Sequence, residues 1–215
     1  MAEASRRGGE PRRCAWCGDH ADYQAYHDTE WGFPVDDDRR LFEKLCLEGF
    51  QSGLSWLTIL RKRENFRKAF ADFDFDRIAR WNQRSVGRLL RDAGIVRHRG
   101  KVEAALENAR RAQALQREFG SLAAFFWSFE PDETERRKAL DEENLLAVTR
   151  TDASRAMARA LKKRGFRFFG PTTAHAFMQS MGLVNDHALH CDTRPEVERA
   201  RAGFRRPRPK RGAAP

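Results

Sequence analysis

An all-α fold is predicted for this 215-residue chain by three observations. Apolar residues recur at three- and four-residue spacing, several such stripes begin after Asp or Ser and end near Gly, and no run alternates convincingly enough to mark a strand. Asp36 to Asp38 precede Leu41, Phe42, Leu45 and Cys46, an acidic helix start leading into an apolar stripe. Asp74 can cap a short helix through Ile78 and Trp81, and Leu89 and Leu90 extend a further segment towards Gly94. A longer amphipathic helix is expected over Lys101 to Glu118, and another from Ser121 with Leu122, Phe125, Phe126 and Phe129. Asp152 or Ser154 starts a helix containing Ala156, Ala160 and Leu161. The charged stretch from Pro131 to Glu143 reads as an exposed connection.

Composition bounds the function. With 40% hydrophobic and 33% charged residues this is an ordinary globular composition, enough for one domain or two small lobes around a sizeable core. No apolar run near Met1 resembles a signal peptide and none approaches membrane-spanning length, so a cytoplasmic protein with reduced thiols is expected and no membrane partner. The 41 Lys and Arg against 31 Asp and Glu give a formal charge of +10, a field that attracts phosphate backbones. Part of that excess sits in two Pro-, Gly- and Ala-bearing ends, residues 1–11 and 195–215, which are expected to be disordered basic tails around a helical domain over 12–194.

The four cysteines combine with histidines into candidate metal ligands: Cys14 and His27 near the start, His187 and Cys191 near the finish. The last two are four apart, which on a helix puts them on one face. Two thiolates and two imidazoles suit tetrahedral zinc, and four protein ligands leave no open position, so such a site is structural. Spacing alone favours a different set, with the Cys14-x-x-Cys17 pair joining His187 and Cys191, while unrelated buried thiols are a third reading.

A second informative segment is Lys162-Lys163-Arg164-Gly165-Phe166-Arg167-Phe168-Phe169-Gly170-Pro171-Thr172-Thr173. A helix can end at Gly165 in a left-handed cap, and Pro171 suits the first turn of the next helix. The result is a helix-hairpin-helix whose backbone amides can face a phosphate, with Lys163, Arg164, Gly165, Gly170 and Thr172 as the candidate contacts. The Arg97-His98-Arg99-Gly100-Lys101 turn offers a second basic connection.

Four ordered motifs, Tyr26-His27-Asp28-Thr29-Glu30-Trp31-Gly32, Cys46-Leu47-Glu48-Gly49-Phe50-Gln51-Ser52-Gly53-Leu54-Ser55-Trp56, Asp92-Ala93-Gly94-Ile95-Val96-Arg97-His98-Arg99-Gly100-Lys101 and Gly182-Leu183-Val184-Asn185-Asp186-His187, resemble those of the type-I 3-methyladenine DNA glycosylases. The likeness runs from about Arg13 to Cys191. It implies a bacterial, cytoplasmic, monomeric, two-lobed helix-hairpin-helix glycosylase with one structural zinc clipping the two ends of the domain. It places the zinc on Cys14, His27, His187 and Cys191, setting Cys17 aside. It also assigns Glu48 as the pocket carboxylate and Tyr26 and Trp56 as residues that hold or stack on the excised base, with Trp16 and Tyr23 contributing to the wall.

The implied reaction is monofunctional hydrolysis of the N-glycosidic bond of 3-methyladenine in double-stranded DNA, releasing the free base and leaving an abasic site. Its physics is consistent: methylation at N3 makes the base cationic and a good leaving group, a flipped base needs aromatic faces, and a carboxylate favours the charge. Asp186, near the hairpin, is an alternative acidic group with a helix-cap or metal-supporting role equally open to it. Lys162 and Lys163 read as phosphate contacts rather than as a Schiff-base nucleophile. Two rivals remain at this level: a noncatalytic zinc-stabilised DNA-binding module, and a glycosylase for a different alkylated base.

Overall fold

The computed structural model describes residues 11–132 and 141–214, and among them every regular element is a helix. In order these are a 3-10 turn at Ala15–Cys17, α1 (Ala21–Thr29), α2 (Asp38–Gln51), α3 (Trp56–Ala69), a second 3-10 turn (Ala71–Phe73), α4 (Phe75–Ile78), α5 (Gln83–Arg91) and α6 (Arg99–Phe119). There follow α7 (Leu122–Trp127), α8 (Glu142–Ala147), α9 (Asp152–Lys163), α10 (Pro171–Ser180) and α11 (Arg194–Gly203). The central element is α2, which packs against α3, α6, α7 and α10. Its sequence explains this, since Leu41, Phe42, Leu45, Cys46, Leu47 and Phe50 leave almost no side uncommitted to the core. One continuous buried cluster runs from Tyr26 to Leu183, so the halves of the chain share a core.

Helix starts follow local chemistry. Asp37 accepts from Arg40 N, Asp74 from Asp76 N and Arg77 N, Asn82 from Arg84 N, and Ser121 from Ala124 N. Each satisfies a backbone donor that the helix itself leaves unpaired. The ninth helix is capped by Thr151, one residue before the expected start, in a reciprocal box with Ser154. Two helices carry no clear sequence signal. Only Tyr26 and His27 of α1 are buried, so its support comes from the site described below rather than from an apolar stripe. The third helix has its start signal in Ser55, whose hydroxyl accepts from Thr58 N, but Arg61-Lys62-Arg63 interrupts the apolar pattern.

Three expectations are corrected. Residues 195–214 are folded, not a disordered tail: α11 buries Val197 and Arg201, and the Phe204 ring lies 4.5 Å from that of Trp127. The cations that looked solvated meet distant acceptors, Arg201 and Arg206 on the half-buried Glu130 carboxylate at 2.7 and 2.9 Å, and Lys210 on Arg117 O at 3.2 Å. Second, His187 and Cys191 lie in a loop before α11 and are joined by a turn closed by Cys191 N donating to Ala188 O at 3.0 Å. Third, Glu143 belongs to α8, so the expected connection from Pro131 is already helical by its end. Its middle, residues 133–140, and most of the N-terminal tail, residues 1–10, fall outside the described residues.

The loop carrying His187 starts at Gly182, where backbone contact is tight. Gly182 has φ +78°, and a Cβ there would lie 2.5 Å from Pro34 N. Left-handed backbone strain and an unavoidable clash with main chain act together in Gly182→Ala, which is expected to lower unfolding free energy by about 2–4 kcal/mol. Urea denaturation measures this, and a midpoint equal to that of the parent chain would refute it.

Candidate base pocket, metal cluster and DNA face

A cavity of about 210 Å³ opens between the 3-10 turn, α1, α2 and the start of α3. Trp16 comes from the turn, Tyr23 and Tyr26 from α1, Glu48 from α2 and Trp56 from the first position of α3, so the five residues expected around a base do line one space. Ring centroids are 5.1 Å apart for Trp16 and Tyr23 and 5.4 Å for Tyr26 and Trp56. The Trp56 indole N–H is buried and makes no hydrogen bond among the described residues. Glu48 is only 5% exposed, a carboxylate that must be compensated.

The compensating group is one that the sequence gives little reason to select. Lys44, one turn before Glu48 on α2, places Nζ 2.9 Å from Glu48 Oε1 and donates to the Tyr26 hydroxyl at 2.9 Å. The same ammonium lies 3.2 Å from the centroid of the Trp56 ring. Burial pulls the Lys44 pKa down, against the raising influence of Glu48. Burial, then Glu48, holds the Tyr26 phenol far above its ordinary range, so it stays a neutral hydroxyl. A Lys-x-x-x-Glu pair on a helix usually reads as a solvated surface pair, and the only available signal was its place beside Leu41 and Leu45 in the apolar face.

Behind this cavity, the Cys14, His27 and Cys191 ligand atoms all lie within 4.8 Å of one another. Cys191 Sγ is 3.5 Å from His27 Nε2, and Cys14 Sγ accepts from Ala188 N at 3.3 Å. The His187 ring lies 4.9 Å from that of His27, with its Nε2 buried and making no hydrogen bond among the described residues. In both histidines Nδ1 faces an oxygen, Asp28 Oδ1 at 2.8 Å for His27 and Asn185 Oδ1 at 2.9 Å for His187. For His27 this leaves Nε2 against the Cys191 thiol, whereas His187, the fourth expected ligand, is not among the ligand atoms gathered within 4.8 Å. Cys17 stands outside this group, its Sγ donating to Cys14 O at 3.1 Å.

The groups of this cluster do not shift alike. A hydrogen bond from Cys14, then one from His27, draws the Cys191 thiol down to about 3, while burial lowers His187 to about 4 and keeps its ring neutral. Burial pulls His27 down too, but bonds with Cys191 and Asp28 outweigh it and raise this imidazole, so a metal there would have to displace its proton. Two thiols and one imidazole gathered together, with the His187 ring beside them, are donor types that suit a tetrahedral zinc. Trp31 joins cluster and cavity, with ring centroids 4.6 Å from His187 and 4.9 Å from Trp16. Asp186 also lines the cavity, accepting from Gln179 Nε2 at 2.9 Å.

On the outer face, α9 ends in the expected left-handed turn, with Gly165 at φ +83°, and α10 begins on Pro171. Lys163, Gly165, Gly170 and Thr172 are exposed around this connection. Arg164 is not available there, because its guanidinium is taken by Glu118 at 2.8 Å and by Ala214 O at 3.1 Å. Phe168, whose ring centroid is 6.1 Å from that of His98, sets this connection beside the 97–101 turn and so brings two basic connections onto one surface. Arg97 and Arg99 are exposed there. Lys101 is not, since Nζ donates to Phe50 O at 2.9 Å and to Ser52 O, satisfying carbonyls at the α2 C-terminus beside the pocket.

A helical frame with a basic face and an aromatic cavity holding a buried carboxylate defines a protein built to take a flat heterocycle from a phosphate-bearing partner. The family profile of methyladenine glycosylases matches residues 16–194, and the chain belongs to that family. It is 46% identical over 179 residues to DNA-3-methyladenine glycosylase 1 of Escherichia coli (strain K12), covering 83% of this chain and 95% of that protein. It is also 46% identical to the DNA-3-methyladenine glycosylase of Haemophilus influenzae, over 83% of this chain and 96% of the relative. A crystal structure of 3-methyladenine DNA glycosylase I superposes with a TM-score of 0.79 at 49% identity, over 84% of this chain and 98% of the other. The Staphylococcus aureus glycosylase I, solved to describe 3-methyladenine recognition, gives 0.80 at 33% identity over 87% and 98%.

Proposed function

We propose that this protein is a DNA-3-methyladenine glycosylase of base-excision repair, hydrolysing the N-glycosidic bond of 3-methyladenine in alkylated DNA. The observation that carries the reading is the seating of a cation between the Trp56 face and the Glu48 carboxylate, because the lesion differs from adenine chiefly in carrying a positive charge. Tyr26 and Trp56 hold the flipped ring, with Trp16 and Tyr23 closing the wall. Glu48 favours the cationic base and the developing sugar cation. The C1′–N9 electron pair leaves with the base and neutralises it. Water adds to the sugar carbon and loses a proton, leaving an abasic site. Among the described residues no lysine is placed as an attacking amine, which supports a monofunctional enzyme: Lys44 is tied to Glu48, and Lys163 is exposed on the outer connection. Release of 3-methyladenine from methylated duplex DNA, identified by chromatography, tests the assignment, and methylated DNA left intact would overturn it.

Cys14, His27, His187 and Cys191 hold one structural zinc in this reading. The zinc supplies a cross-link rather than chemistry, fixing His27 and with it the adjacent Tyr26 wall. The helix-hairpin-helix at 162–173 contacts the phosphate backbone through Lys163 and the amides after Gly170, and the molecule acts as a monomer. No described helix is long and apolar enough to cross a membrane. A Cβ on Gly170 would meet nothing within 4 Å and the backbone there has an ordinary φ of −88°, so Gly170→Val leaves the fold intact. Its expected effect is a loss of about 1 kcal/mol in binding to damaged and undamaged DNA alike, the worth of one backbone hydrogen bond to phosphate. Equal affinities by fluorescence anisotropy would make the hairpin a packing feature.

A further inference from the structure

Lys44 is the one buried cation in the pocket that the glycosylase reaction does not itself require. Its ammonium satisfies every condition expected of the lesion: it faces the Trp56 ring at 3.2 Å, pairs with Glu48 at 2.9 Å and donates to the Tyr26 hydroxyl at 2.9 Å. At 3.2 Å from the ring centroid it stands at stacking distance, so a base cannot lie fully on that face of Trp56 until the lysine withdraws. Lys44 lines the same cavity as the aromatic wall and hangs on a flexible four-carbon stem from α2.

We propose that Lys44 is a specificity-determining residue, a tethered cation that competes with the base for Trp56 and Glu48 and so admits cationic bases while expelling neutral ones. The inference rests on the glycosylase reading. A cationic 3-methyladenine replaces the ammonium against Glu48 and the aromatic face with little net loss of charge pairing. Adenine brings no charge, so for it to displace Lys44 would leave Glu48 buried and uncompensated. The same asymmetry acts after cleavage. Both electrons of the C1′–N9 bond pass to the ring, the methylated base becomes neutral, and Lys44 returns to Glu48 as the product leaves. The device separates substrate from product by charge alone.

The test is the affinity for free base, measured by calorimetric titration of 3-methyladenine and adenine into wild type and Lys44→Met at neutral pH. Methionine keeps the length of the side chain and removes its charge. Lys44→Met is expected to bind both free bases more tightly, by about tenfold, the equivalent of one buried cation–π contact no longer in competition. Neither free base carries the charge of the alkylated nucleotide, so the gain should be of similar size for both. A folded Lys44→Met with unchanged or weaker affinity overturns the proposal. Should that variant not fold, Lys44→Gln, which removes the positive charge but keeps a donor for Glu48 and Tyr26, takes its place with the same expectation of tighter binding than wild type. Base release from methylated DNA by the wild type separates the two readings. Release with unaltered Lys44→Met affinity sinks only the competing lysine, whereas no release sinks the glycosylase assignment and this proposal with it.

Discussion

Single-turnover excision by Glu48→Gln is expected to be about 10²–10³-fold slower than by the parent enzyme, the range found when one preorganised electrostatic contact to a transition state is lost. Glutamine keeps the shape and much of the hydrogen bonding of Glu48, so the loss reports charge. Sequence alone leaves the variant folding normally, but the buried ion pair changes that expectation. Removing the carboxylate strands the Lys44 ammonium, 7% exposed, and breaking a buried pair costs about 3–5 kcal/mol when the partner stays charged. Lys44 already has a lowered pKa through burial and can shed its proton, which caps the cost. The expected outcome is a folded enzyme, less stable by about 1–3 kcal/mol, with normal affinity for undamaged DNA. Excision at the parental rate would remove Glu48 from the chemistry and transfer attention to Asp186, which lines the same cavity.

Loss of zinc together with stability is the expected result of His187→Ala. Two of the proposed ligands come from the start of the chain and two from the loop before the last helix, so a metal held by them would close a very long loop. Structural zinc contributes about 10–16 kcal/mol in isolated fingers, where no other core exists. Here the separate apolar cluster from Tyr26 to Leu183 remains, and a loss of about 3–5 kcal/mol, or roughly 10 °C in Tm, is expected. Elemental analysis beside a thermal melt measures both. Full zinc occupancy in the variant would implicate Cys17, whose Sγ is 3.1 Å from Cys14 O, or His190, whose Nε2 is 3.3 Å from Arg13 O. The pocket should suffer as well, since Trp31 bridges His187 and Trp16.

The all-α class was legible because helix periodicity and caps are local. The acidic start at Asp37, the Asp74, Asn82 and Ser121 caps and the Gly165 turn each depend on residues within a few positions of one another. The ordered motifs carried the family, and with it the pocket residues that now line one cavity. By contrast, the fate of individual cations was not legible. Charge says that a side chain is expensive to bury, but not whether a distant carboxylate or carbonyl waits for it. Arg201 and Arg206 found Glu130, Arg164 found Glu118, Lys101 found Phe50 O, and each left the set of free cations that composition suggested. Lys44 is the sharpest case, since the same i, i+4 pairing with Glu48 reads as surface on an exposed helix and as part of the pocket on this one. Sequence determined the elements, the ligand types and the chemistry available to them; which charges face solvent, which hold the fold and which sit in the site were decided by contacts between residues far apart in the chain, where periodicity carries no information.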